Sequence, residues 1–306
     1  MTAPGRLRVA FLGTPDAAVP SLRALASIAE IPIVITQPDR PQGRSRAPQP
    51  PPVKVTAEAM GIPVAQPERS GDIASMLEGA GPLDAAVLVA FGQLIRPDAL
   101  AVPRRGFLNV HFSILPRWRG AAPVQRAIMA GDRRMGVTVM VLEAGLDTGP
   151  TVATWSTGLG ASESGGAVLA RLSDGGAALM AEVLEPYVHG RLAAVAQPAG
   201  ATPAAKITSV DRAIDWTESA VDTSRRVVAL SPRPGAFTHF RGQPFKILAA
   251  EAVGGEGEPG LIDPSELTVG TGAGRLRLIE VQPAGRTPMN AADWARGLSG
   301  EPGRFG

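Results

Sequence analysis

Three residues whose types could manage an acyl transfer fall close together in the chain. Asn109 and His111 stand two apart in the run NVHFSILPRWRG (109–120), and Asp147 follows in the Gly-flanked stretch EAGLDTGP (143–150). Strand residues two apart share a face, so the amide and the imidazole point the same way. An Asn amide can donate to a developing oxyanion. An imidazole can move protons near neutral pH, because its ordinary pKa is about 6.5. A carboxylate beside the ring would hold its tautomer. The chain has no Cys, and no Ser sits in a GxSxG elbow, so a covalent acyl-enzyme is not favoured. Direct attack of a bound amine on a bound acyl donor is the simpler scheme. Each residue also has a plainer use: a strand-end His often only packs, and Asn and Asp in Gly-rich loops often only form turns. Spacing alone leaves both readings open.

The elements that must position these residues alternate in type. RLRVAFLG (6–13), IPIVITQ (31–37), IPVAQ (62–66), DAAVLVAFG (84–92), GFLNVH (106–111), GVTVMVL (136–142) and PTVATWS (150–156) read as strands. Helical periods cover 17–29, with Asp16 as N-cap, then 53–61, 71–79, 122–131 and 163–186. Such alternation implies an α/β, doubly wound, mostly parallel sheet, and in that architecture a ligand lies at the carboxyl ends of the strands. His111 is at such an end. So are the turn after Gly13, the FGQLI segment and the Asp147 loop. The first strand-to-helix turn lacks G-x-G-x-x-G and there is no GxxxxGK[ST] run, so neither a dinucleotide nor a phosphate loop is indicated. Residues 189–209, Ala- and Pro-rich, read as a linker. Beyond a helix near 217–230, short strands crowded between Gly and Pro turns suggest a small β-barrel. The expected division is a catalytic domain over 1–188, a linker over 189–209 and a barrel domain over 210–306.

Composition narrows the chemistry further. At 306 residues, two domains are the default. Without Cys, and with three scattered His (His111, His189, His239), a metal site is not expected. The start of the chain alternates like a strand instead of forming a signal-peptide core, and no apolar run reaches membrane-span length. A soluble, cytoplasmic, monomeric protein is the expectation. Net charge is only +2, so a nucleic-acid partner has to be argued from placement. Three windows carry basic residues and no acids: 40–54 (Arg40, Arg44, Arg46, Lys54), 104–119 (Arg104, Arg105, Arg117, Arg119) and 225–246 (Arg225, Arg226, Arg233, Arg241, Lys246). Phosphate contacts from such windows would give salt-dependent binding.

NVHFSILPRWRGAAPVQRAI and GVTVMVLEAGLDTGP resemble the signature of the methionyl-tRNA formyltransferases. So do FLGTPDAAVPSL, VITQPDRPQGR, AAKITSVDRAIDW and LSPRPGAFTHFRGQPFKI, and the likeness runs in order from about residue 7 to about 295. The resemblance implies a Rossmann-like formyltransferase domain followed by an OB-like barrel that contributes to tRNA binding. It implies 10-formyltetrahydrofolate as co-substrate, without a metal, and initiator methionyl-tRNA as acceptor in translation initiation. Asn109, His111 and Asp147 become the catalytic trio. Asn109 and protonated His111 would hold the oxyanion, while Asp147 supports His111 and proton transfer to N10. Ser113, Ile114, Leu115 and Pro116 match the segment that contributes to folate binding, and Phe91, Gly92 and Leu94 the one flanking the pterin. Arg44 matches the basic residue inserted at the tRNA acceptor end, with Arg40 and Arg46 beside it. Phe112, Ile114 and Phe91 depart from the commonest residues of the pattern and bear on pocket shape. A formyltransferase for a small amine, a formyl-folate hydrolase and a non-catalytic binding relative are the competing readings.

Overall fold

The computed structural model describes residues 6–41, 47–160, 162–298 and 303–306. They divide into two compact units.

The first unit comprises 1–120, 136–157 and 169–203. Its elements, with the helical segment that falls between them in chain order, are β1 (Val9–Gly13), α1 (Val19–Ile28), β2 (Val34–Ile35), β3 (Arg40–Pro41), β4 (Pro48–Gln49), α2 (Pro52–Ala59), β5 (Val64–Ala65), α3 (Ile73–Gly79), β6 (Ala85–Val89), α4 (Pro97–Leu100), β7 (Phe107–His111), α5 (Pro123–Met129), β8 (Arg134–Val141), β9 (Thr151–Gly158) and α6 (Gly165–Val188). Seven strands form one sheet in the order β5-β2-β1-β6-β7-β8-β9. Pairing is parallel from β5 through β7, and antiparallel between β7 and β8. The strand run VAFLG is buried throughout, as expected for strands covered on both faces. One face of the sheet packs Ala10, Leu12, Ile35, Ala86 and Phe107 against Ile73 and Leu77 of α3. A Cβ at Gly176 of α6 would meet Val110 of β7 at 2.8 Å and Val137 of β8 at 3.1 Å, so glycine lets that helix approach the strand that carries His111. Asp16 is not the N-cap that the sequence suggests. It lies in a 3-10 turn (Asp16–Ala18) leading into α1, and no side chain caps either start; Pro20 in the first helical turn needs no cap partner.

The second unit comprises 121–135, 158–168 and 204–306. Segments 121–135 and 158–168 therefore cluster with it, although the sequence organisation places them in the first domain. The close approach of Gly165 to the Ala229 backbone, 2.2 Å from a built Cβ, shows how tightly the second of them is held. After α7 (Ser209–Arg212) and α8 (Ala220–Leu230) come β10 (Ala236–Phe240), β11 (Gln243–Val253), β12 (Ile262–Asp263), β13 (Thr268–Gly270), β14 (Arg275–Pro283), β15 (Met289–Asn290) and α9 (Ala291–Ala295). The antiparallel sheet runs β10-β11-β14-β13-β12, with β15 on β14. Residues at the end of the chain pair with both edges: Phe305 bridges to Phe240 and Arg304 to Leu261. That closing segment covers the exposed edges a sheet of this size would otherwise present. Trp216, Phe245 and Phe305 sit in its core, with Trp216 and Phe305 stacked at 5.3 Å.

Candidate active site

β7 ends at His111 between β6, which runs parallel to it, and β8, which runs antiparallel, so the Asp147 loop leaves β8 beside the start of β7 and not at the shared carboxyl edge that the strand alternation suggests. Asn109 pairs with Leu88 of β6 and Met140 of β8; His111 pairs with Thr138. The sheet thus fixes both backbones before any side chain contact is made. Asn109 is only 6 % exposed, yet its amide has no hydrogen-bond partner among the described residues and is not sealed from solvent. A buried polar group normally has its partner. An unpaired amide that remains reachable has a donor free to bond a ligand atom.

His111 is equally buried. Its Nε2 lies 2.8 Å from the Trp118 carbonyl oxygen. A carbonyl can only accept, so Nε2 carries the hydrogen and Nδ1 is the nitrogen left for chemistry. Nδ1 stands 3.7 Å from Asp147 Oδ2, a gap longer than a direct hydrogen bond but within the range of a charge pair. The same Oδ2 accepts the Gly120 amide at 2.8 Å. Of the three candidates, His111 and Asp147 face one another, Asn109 stands two residues before His111 on the same strand, and the loop that His111 precedes occupies Nε2.

The loops are held in uncommon conformations. Ala90, Trp118 and Asp147 have φ of 46°, 65° and 50°, each on a loop following a strand of the first unit. A left-handed non-glycine residue costs roughly 1–2 kcal/mol, and such outliers concentrate at functional sites. In the Asp147 loop, a Cβ at Gly149 would lie 1.9 Å from the Val141 carbonyl oxygen, so only glycine lets the chain double back there.

The residues expected to bind folate occupy distinct places. Ser113 is buried and donates to the Arg117 carbonyl at 2.6 Å, so its hydroxyl shapes the loop. Leu115 is buried, Ile114 and Pro116 half-buried. Phe91 is in the core, and its carbonyl accepts from Thr14 Oγ1 at 2.8 Å and Gln37 Nε2 at 3.2 Å. Gly92 takes a φ of 88°. Leu94 is 77 % exposed, and Leu146, next to Asp147, is 69 % exposed. Phe112 points to the interior and is buried. A cavity of about 320 Å³ also opens over the ends of β1, β2 and β6, lined by Thr14, Gln37, Arg40, Gln49 and Phe91 among others.

Of the basic residues, Arg40 is exposed on β3, whereas Arg44 and Arg46 lie outside the described residues. Lys54 is tied to Asp39 at 2.9 Å, and the Gln66 amide together with Lys54 holds the Asp39 carboxyl below its usual range. The cations of the 104–119 window have partners within the chain, although Arg104 and Arg117 stay exposed. Arg104 pairs with Asp84, Arg105 donates to the Tyr187 carbonyl, Arg117 lies 4.4 Å over the Trp118 ring, and Arg119 bonds Gln197. In the third window, Arg225 pairs with Asp222 and Arg226 with Glu218, while Arg233 and Lys246 have no side-chain partner among the described residues.

Two participants escape the sequence reading. Thr138, facing His111 in register, donates to the Ser113 carbonyl at 2.8 Å and accepts the Leu115 amide at 3.1 Å. Its signal was a lone hydroxyl in the apolar run GVTVMV. Trp118 acts through its main chain, which no side-chain pattern announces. The 189–203 stretch is also no loose linker: Val195 pairs with Thr151, and Thr202 Oγ1 accepts the Trp118 amide at 2.9 Å.

Comparison with known proteins places this geometry in context. Residues 7–184 match the family model described as formyl transferase, and 206–299 the formyl transferase C-terminal domain. The methionyl-tRNA formyltransferase of Thermus thermophilus is 45 % identical over 302 residues, covering 97 % of this chain and 98 % of that protein. That of Frankia alni is 45 % identical over 303 residues, covering 95 % and 91 %. Among solved structures, an N-formyltransferase from Helicobacter canadensis, in complex with folinic acid and dTDP-3-aminofucose, matches with a TM-score of 0.68 at 14 % identity, over 89 % of this chain and 99 % of that one. At that identity the likeness is one of fold.

Proposed function

The chain belongs to the formyl transferase family, in its methionyl-tRNA formyltransferase branch, and we propose that its site transfers a formyl group from 10-formyltetrahydrofolate to the α-amino group of methionine on initiator tRNA. The observation that carries this reading is the unpaired, reachable Asn109 amide beside a His111 whose free nitrogen faces Asp147.

The residues present fit such a co-substrate: exposed Leu94 and Leu146 offer apolar cover for a flat ring, and Asn109, a buried amide unpaired among the described residues, is a donor suited to a carbonyl oxygen. 10-Formyltetrahydrofolate supplies an activated formyl carbon. In the transfer, a bond forms between the amine nitrogen and that carbon, and the bond from carbon to N10 breaks. Asn109 donates to the oxygen on which negative charge develops. His111 Nδ1, across from Asp147, mediates loss of the amine proton and its delivery toward N10, while Nε2 stays on the Trp118 carbonyl. Asp147 keeps its position through the Gly120 amide and offsets the charge on the imidazole. Within the three basic windows, Arg40 in the first unit and Arg233 and Lys246 in the second are cations without a side-chain partner among the described residues and are offered for phosphate contact, with Arg44 and Arg46 assigned by resemblance alone. A cytoplasmic location and a monomeric state complete the proposal. Among the described residues no helix is long and apolar enough to cross a membrane.

Product identity tests this reading. With 10-formyltetrahydrofolate and charged tRNA, the protein is expected to form formyl-methionyl-tRNA, preferring the initiator over the elongator. Formate as the main product would make it a hydrolase, and formylation of a free small amine with charged tRNA unreactive would reassign the acceptor.

A further inference from the structure

Gln197 lies in the segment that the sequence reads as linker, and its carboxamide is fully engaged in the first unit. Nε2 donates to the Asp147 carbonyl at 2.9 Å and to the Gly149 carbonyl at 2.8 Å. Oε1 accepts from Arg119 Nε at 3.1 Å and Nη2 at 2.7 Å. Both donors and both lone pairs of the amide are therefore in use. The two groups it joins are the two loops of the site. Arg119 precedes Gly120, whose amide holds the Asp147 carboxylate, and Asp147 faces His111. The contacts close a ring: Arg119 to Gln197, Gln197 to the Asp147 main chain, Asp147 side chain to Gly120. Asp147 sits at φ 50°, and the turn at Gly149 leaves no room for a side chain. A loop in that conformation keeps its aim only if its carbonyls are held from outside.

We infer that Gln197 is a positioning residue for the transfer, setting the Asp147 main chain so that its carboxylate meets His111. It touches no reacting atom in this account, and the inference rests on the formyl-transfer reading. The two donated bonds carry the effect, since they act on Asp147 itself. The Arg119 bonds orient the amide so that its nitrogen faces the loop.

Two substitutions separate these parts. Gln197→Glu keeps oxygen acceptors for Arg119 and removes both donors; Gln197→Met removes everything at similar size. The expected result is a kcat lowered roughly 10- to 100-fold in both variants, as a displacement of about 1 Å at a catalytic group can cause. KM for 10-formyltetrahydrofolate and for charged tRNA should stay near those of the parent, and because the lost hydrogen bonds lower the thermal midpoint, kcat is compared well below the midpoint of every variant. A double-mutant cycle supplies the second readout: in an Asp147→Ala background, Gln197→Met should lower kcat no further, because the group it positions is gone. Parent-like kcat in Gln197→Glu would overturn the inference by making the Arg119 bond the useful one. A further drop in the Asp147→Ala background, or a loss confined to KM, would overturn it as well. Absence of formylation by the parent chain would instead sink the functional reading on which the inference stands.

Discussion

Asp147→Asn leaves an oxygen for the Gly120 amide and removes the charge that faces His111 Nδ1. The loop should keep its shape, so thermal stability should be near parental while single-turnover formylation falls about 10²- to 10⁴-fold, the usual span of a general acid–base contribution. Ser113 is a contrasting case. Its hydroxyl is bonded to the Arg117 carbonyl, so Ser113→Ala should cost about 1 kcal/mol of stability and act on folate affinity only through the loop. Chemical denaturation and a folate titration distinguish the two effects. At this scale two-apart spacing announces a shared face for Asn109 and His111, but it left the roles of Asn109, His111 and Asp147 open, and the resemblance singled them out. The sequence could not reveal that Nε2 is bonded to Trp118, since that partner is a main-chain oxygen. Nor could it separate Arg119, tied to Gln197, from an arginine open to solvent.

At the scale of elements, the turn from β8 into the Asp147 loop depends on Gly149 and the loop after β7 depends on Thr138. Gly149→Ala places a Cβ 1.9 Å from the Val141 carbonyl oxygen. The loop must move, and kcat should drop at least tenfold although no reacting group is lost. Thr138→Val leaves the Leu115 amide without its Oγ1 acceptor and the Ser113 carbonyl without its donor. Stranding such buried groups costs about 1–3 kcal/mol, measurable as a lower urea midpoint, and should raise KM for the folate. Element type and order were legible in the sequence because strand runs such as DAAVLVAFG and the helical stretches differ in period. Two readings failed for identifiable reasons. Asp16 fell in a 3-10 turn because Pro20 already suits the first turn of α1 without a cap. The Ala- and Pro-rich 189–203 stretch looked loose because its order comes from the Trp118, Asp147 and Gly149 main chain, to which no apolar period corresponds.

At the scale of the whole molecule, stability should depend on pH through the second unit. Arg126 bonds Asp211 at 2.6 Å, and this bond together with the Thr208 amide pulls the Asp211 carboxyl well below its usual 3.8. A depressed folded-state value means the contribution is complete above pH 3.8 and fades as pH falls toward the folded value. Asp211→Asn should therefore lower the melting temperature at pH 7, and the gap from the parent should close below pH 3.8. Binding to charged tRNA should weaken linearly in log–log with added salt, and Arg40→Ala should reduce that slope by about one; an unchanged slope would remove Arg40 from the interface. The account as a whole rests on the two β7 side chains. Its most direct test is the single-turnover rate of formyl-methionyl-tRNA formation, under saturating 10-formyltetrahydrofolate, for the parent, Asn109→Ala and His111→Ala. The rate should fall about 10²- to 10³-fold in each with the fold intact by circular dichroism, whereas near-parental formylation by either variant would contradict the assignment of this site.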